Sequence, residues 1–328
     1  MAPPRLSART VVITGASSGV GRAAALAFAD ERANLVLVSR RLPVLEQLAD
    51  ECRARGARAE AVAADVGEAE TMAQVVARAL ESFGGIDVWI NNAGVGAVGE
   101  FCATPVAVHE RVIRTNLLGC LNGAHAVLPH FKARGRGVLI NTLSLGAWAA
   151  SPYGVAYSAS KFALRGFSEA LRGELAQYPD TYPGIHVCDV YPAFLDTPGI
   201  SHAANLSGRE IRPVPPLYDP RRVAQAMVRL AVHPKKSVTV GGAATVVSLA
   251  HGMAPALSAG LTARLANRWF AHAAPAERSN GTLFESTSGD ARIDGGWRPQ
   301  RSRNQPSATG VLLFGVALAL FLGRERRR

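Results

Sequence analysis

Seven short apolar runs, most of them rich in β-branched residues, punctuate the first three quarters of the chain: "TVVITG", "NLVLVS", "AEAVAADV", "DVWINNAG", "GVLINTLS", "IHVCDVYP" and "SVTVGG". They show little of the polar alternation of a half-solvated strand, and so predict strands buried on both faces. The longer stretches between them, among them 22–31, 43–55, 68–83 and 106–132, have the three- and four-residue apolar spacing of amphipathic helices. Strict alternation of strand and helix predicts right-handed crossovers and an α/β, doubly wound parallel sheet with helices on both faces, filling residues 1–242. Beyond 242 the alternation stops. Residues 243–274 read as a helical extension, and 275–307, rich in Gly, Ser, Pro and Arg, as a flexible connector. Residues 308–323 form an uncharged apolar segment and 324–328 a basic tail.

Composition narrows the function classes. A net charge of +11 would suit a nucleic-acid partner, but residues 265–328 hold ten Lys+Arg against five Asp+Glu, which puts +5 in the last fifth of the chain. The first 250 residues carry no basic stripe interleaved with aromatics, so nucleic acid is not expected as a partner. The four cysteines form no CxxC pair and the eight histidines show no metal-ligand spacing, so neither disulfides nor a metal is expected. The N-terminus lacks the apolar core of a signal peptide, which makes the expected location of the folded part cytoplasmic.

The first chemical motif, "TGASSGVG" at 14–21, joins the first strand to the first helix. Gly15 permits the sharp turn, Gly19 lets backbone amides approach a phosphate, and Gly21 lets the helix pack on the sheet. With Thr14, Ser17, Ser18 and Val20 these residues make a candidate pyrophosphate loop at a helix N-terminus. The second strand ends "VLVSRR", with Ser39, Arg40 and Arg41 and no acid before Glu46. A carboxylate there would hold the 2′-hydroxyl of NAD; arginine suits the 2′-phosphate of NADP, Arg40 being the expected ligand.

"SPYGVAYSASKFAL" at 151–164 holds two tyrosines ahead of one lysine. Residues four apart stack on one helical face, so Tyr157 lies over Lys161, whereas Tyr153 falls a further turn away. An ammonium beside a phenol stabilises the phenolate, which suits the pair to proton transfer. Only four of the 36 basic residues are lysine, so a compact ammonium at this place is a departure from the chain's habit.

Together, "TGASSGVG", "NNAG" at 91–94, Ser144 thirteen residues before the tyrosine, and "YSASK" resemble the short-chain dehydrogenase/reductase family, over about residues 8–241. The resemblance implies a seven-stranded Rossmann sheet and hydride transfer between NADP(H) and a small carbonyl or alcohol substrate of hydrophobic character, in a homodimer or homotetramer. By position, Tyr157 would be the general acid, Ser144 would bind the substrate oxygen, Lys161 would hold the nicotinamide ribose, and Asn116 in "RTNLLG" would hold a relay water. Asp65 and Val66 would meet the adenine. Asn91, Ala93 and Gly94 would line the cofactor, and Pro192 and Thr197 in "YPAFLDTPG" would meet the nicotinamide end. Ala193 stands where the family usually has glycine. Trp148, Tyr153 and Phe194 fit either the substrate pocket or the core.

Two other readings stay open: an epimerase or dehydratase of the extended branch, disfavoured by the GxxxGxG spacing, and a non-catalytic NADPH-sensing interaction protein on a membrane. The tail bears on location. Residues 308–323 would make a helix of about 24 Å against a hydrocarbon core of about 30 Å, and arginines beyond 323 can snorkel over the deficit. Membrane attachment is therefore expected.

Overall fold

In the computed structural model, which describes residues 5–253, 260, 264, 267–268, 270–286 and 291–298, all seven apolar runs become strands of one parallel sheet. These are β1 (Thr10–Thr14), β2 (Asn34–Ser39), β3 (Arg58–Ala63), β4 (Val88–Asn91), β6 (Arg136–Thr142), β7 (Gly184–Pro192) and β9 (Ser237–Val240), in the order β3-β2-β1-β4-β6-β7-β9. Two-residue strands β5 (Ala97–Val98) and β8 (Ala204–Asn205) pair with each other in a separate, parallel sheet. The crossovers are α1 (Gly19–Asp30), α2 (Leu42–Ala54), α3 (Ala69–Phe83), α4 (Val106–Ile113) with α5 (Gly119–Arg134), α6 (Val155–Leu175), and α8 (Pro220–Val232); α7 (Gly199–His202) is a single turn, and α9 (Gly242–Met253) follows β9.

Residue parity explains why the runs are apolar throughout. Val11 and Ile13 of β1, Leu35 and Leu37 of β2, and Val88 and Ile90 of β4 face the layer of α1, α2 and α8. The intervening Val12, Val36, Val38 and Trp89 face α3, α5 and α6. Each such side chain removed from water contributes about 1.5–3 kcal/mol, so both faces demand apolar residues. The sheet grows in opposite directions from β1 and β4, which opens a crevice beyond their C-terminal ends.

Four expectations need correction. The third run leaves the sheet at Ala63, so Asp65 and Val66 lie in the following loop. The helix expected over 106–132 is broken by a π turn, Arg114–Leu118, between α4 and α5. Tyr153 precedes α6 with φ +63° and is not helical. Most of the supposed connector is docked: residues 275–286 pair with β8 and the loop after it, through Ser279 with Asn205 and Pro275 with Arg209, and 291–298 pack on the loop after β7. The apolar segment 308–323 lies outside the described residues; among those described, no helix is long and apolar enough to cross a membrane.

Candidate active site

Four side chains predicted from three stretches of sequence converge at the C-terminal end of β4 and β6. On α6, Lys161 Nζ lies 5.8 Å from the centre of the Tyr157 ring and donates to Thr142 O at 2.9 Å. Lys161 is buried, so that carbonyl fixes its ammonium in place. Ser144 follows β6, and its Oγ accepts from Gly146 N–H at 3.0 Å. A Cβ at Gly146 would stand 3.2 Å from the Tyr157 ring and 3.5 Å from Ser144 Oγ, so this glycine lets the two hydroxyl-bearing residues share one cleft. Asn116 occupies the π turn, fully buried; its Oδ1 accepts from Val95 N–H at 2.8 Å while its Nδ2 donates to Val95 O and Ser160 Oγ. Such turns widen a helix by one residue and aim a side chain inward. Gly94 sits between them: a Cβ there would be 3.5 Å from Asn116 Oδ1 and 3.9 Å from Lys161 Nζ.

The glycine loop is held closed by close approaches. Gly15 has φ +65°, and a Cβ on it would fall 2.7 Å from Ala93 Cα. A Cβ on Gly21 would overlap the Gly15 carbonyl, so no larger residue closes this strand-to-helix turn. Thr14 is buried; its Oγ1 donates to Ile90 O and accepts from Asn92 and Ala93 N–H, which ties β1 to β4. Ser18 caps α1 through its backbone, Val20 is half-buried against the α1 layer, and Gly19 (φ +54°) abuts Thr197 from the loop after Pro192. The loop after β1 and the loop after β7 are thus brought together. Ala193 N–H donates to Val240 O, so alanine is accommodated there.

At the other end of the crevice, Ser39 Oγ accepts from Arg41 N–H, and Arg41 donates to Ser17 Oγ at 3.1 Å. Arg40 instead donates to the carbonyls of Thr282, Leu283 and Phe284. Burial and then the charge of Arg111 hold Arg40 below the usual guanidinium range, so an anion is favoured beside it. Asp65 is paired with Arg111 and accepts from Gly67 N–H. Burial works against its carboxylate, but those hydrogen bonds outweigh burial and hold the group below the usual carboxylate range. Two expected residues do not face the crevice. Asn91 is buried between Trp89 Nε1, Cys120 O and Asn141, and Val66 packs against Gly119.

Sequence reasoning passed over Asn92, whose amide bonds the carbonyls of Thr14 and Gly15, and Ser160, which bridges Asn116 to Tyr157 O. Both lie inside motifs already noted. It also missed Arg111, for which the sequence carries no local signal. Tyr153 packs tilted against Phe270, 4.8 Å between ring centres, and with Glu100, Leu206 and Arg209 lines a pocket of about 280 Å³. Trp148 packs on Tyr191 beneath the Arg165 guanidinium, and Phe194 is exposed. Burial pushes the Cys120 thiol, behind the π turn, up to about 11, which removes it from nucleophilic chemistry at neutral pH.

The profile of the family described as short chain dehydrogenase matches residues 9–205. YxnA, an uncharacterized oxidoreductase of Bacillus subtilis strain 168, is 33% identical over 289 residues, covering 88% of this chain and 79% of its own. Among solved structures, an alcohol dehydrogenase from the archaeon Thermococcus sibiricus complexed with 5-hydroxy-NADP is similar at a TM-score of 0.61 and 27% identity, over 71% of this chain and 95% of its own. A metagenomic short-chain oxidoreductase in complex with NADP is similar at 0.60 and 29%, over 72% and 98%.

Proposed function

Since this chain belongs to the short-chain dehydrogenase family, we propose that it is an NADP(H)-dependent oxidoreductase interconverting a ketone and a secondary alcohol. The observation that carries the reading is the convergence of Ser144, Tyr157 and Lys161 beside the π turn of Asn116. The crevice suits the cofactor: a turn that only glycine closes, the α1 N-terminus for a pyrophosphate, and Arg40 and Arg41 for a 2′-phosphate at the end of β2, where the sequence has no acid before Glu46. When bound, NADPH supplies the hydride. Ser144 Oγ holds the carbonyl oxygen, and the Tyr157 hydroxyl gives that oxygen a proton as charge develops on it. The Lys161 ammonium stabilises the phenolate that remains. Asn116 has its amide nitrogen spent on Val95 and Ser160, so in this reading it positions the turn beside Lys161.

The test is oxidation of NADPH with a panel of hydrophobic ketones and aldehydes, run beside Tyr157→Phe and Tyr153→Phe. Tyr157→Phe is expected to lower kcat about 10²–10⁴-fold, as loss of a general acid does, with the Kd for NADPH within about twofold. Tyr153→Phe should change kcat far less. No turnover of any carbonyl by native protein that binds NADPH would favour the sensor reading instead.

A further inference from the structure

The C-terminal segment lies along the same crevice as the dinucleotide loop. Its first part pairs with α7 and β8: Ser279 and Asn205 exchange backbone hydrogen bonds at 2.8 Å, and Thr282 N–H donates to His202 O. Gly281 (φ +52°) makes this approach possible, since a Cβ there would overlap the His202 carbonyl. Leu283 then enters an apolar cluster with Val108, Val112 and Ala156, against which Tyr157 packs. The carbonyls of residues 282–284 take both terminal nitrogens of Arg40. Farther on, Arg292 O accepts from Gly19 N–H at 2.9 Å, and Asp196, on the loop bearing Thr197, is gripped by Trp297 N–H and the buried Arg298 guanidinium.

We infer that residues 279–286 and 291–298 are an autoinhibitory strap that competes with the dinucleotide for the crevice. The inference rests on the cofactor reading above, because the donors it takes, Arg40 and Gly19 N–H, are those assigned to the 2′-phosphate and the pyrophosphate. Neutral carbonyls are weaker acceptors for a guanidinium than a phosphate dianion, so the strap closes the crevice and yields to the nucleotide. The ends are fixed differently from the middle. Ser279 is held by a backbone bridge and Arg298 by Asp196, Asp219 and Asp294, and neither contact touches the phosphate donors. The nucleotide therefore displaces the middle while the ends stay seated, and apparent affinity is lowered by the fraction of molecules with the strap closed.

Hydrogen–deuterium exchange on the full chain, with and without NADPH, decides it. Slower exchange in residues 15–21 reports that NADPH is bound. The strap predicts that, in the same sample, the amides of Thr282 and Leu283 exchange faster. If 15–21 slow while 282–283 also slow or stay unchanged, the segment is a clamp or a bystander and the strap is overturned. Leu283→Glu, which unseats the middle, should tighten NADPH binding about fivefold or more, read by nucleotide fluorescence; equal or weaker binding overturns the strap. If neither protein protects 15–21 at saturating NADPH or NADH, the cofactor reading falls and takes the strap with it.

Discussion

In the proposed reading, one guanidinium at Arg40 serves two rival acceptors, the carbonyls of residues 282–284 and a 2′-phosphate, and the choice between NADPH and NADH is made there. No carboxylate stands at the end of β2 to reward the 2′-hydroxyl of NADH, while Arg40 gains charge-assisted bonds from a 2′-phosphate. Arg40→Ala is expected to erase most of the NADPH preference, about 1.5–3 kcal/mol or roughly 10- to 150-fold in the ratio of the two Kd values. Titration of both nucleotides into both proteins gives the ratio; an unchanged ratio would assign the 2′-phosphate to Arg41. The same scale shows what a sequence can reveal. Tyr157 and Lys161 are legible because a four-residue interval on a helix fixes their neighbourhood. The Asp65–Arg111 pair spans 46 positions and the Arg40–Leu283 bond 243, and no local pattern encodes either.

Among the elements, the sheet was readable and the helix after β5 was not. Continuous apolar runs reveal strands buried on both faces, because both parities must satisfy a helical layer. The π turn left no such trace: apolar residues continue through "RVIRTNLLGCL", and the two residues it buries, Thr115 and Asn116, are polar. Asn116 makes that insertion tolerable by satisfying both backbone polar groups of Val95. Asn116→Ala should therefore destabilise the fold by about 1–3 kcal/mol, the cost of leaving buried donors and acceptors unpaired, seen as a lower urea midpoint at unchanged slope. Asn116→Asp keeps the acceptor for Val95 N–H and should fall between. A midpoint for the alanine variant equal to that of native protein would mean that the turn holds without this side chain.

For the whole molecule, the docked segment changes what the C-terminal tail can do. A composition rich in Gly, Ser, Pro and Arg reads as a loose connector, but its contacts are made by backbone carbonyls and distant arginines, which composition does not register. Arg298, seated against Asp196 beside Thr197, ends the described part of the chain. Nine residues, 299–307, separate it from the apolar segment 308–323, so the ten residue steps from Arg298 to position 308 span at most about 36 Å however they fold. If 308–323 enters a bilayer, Arg298 and the Asp196 loop it grips are held within about that distance of the membrane surface, where hydrophobic ketones concentrate. Sixteen uncharged residues followed by "RERRR" support that entry, with arginine snorkelling offsetting the short length. Full-length protein is expected to sediment with membranes and to need detergent for release, whereas a chain ending at Arg303, which keeps all of the described residues, should be soluble and should retain its activity toward soluble ketones. Full-length protein recovered in the supernatant without detergent would refute attachment, and a shortened chain that still sediments would place the membrane contact on the catalytic domain instead.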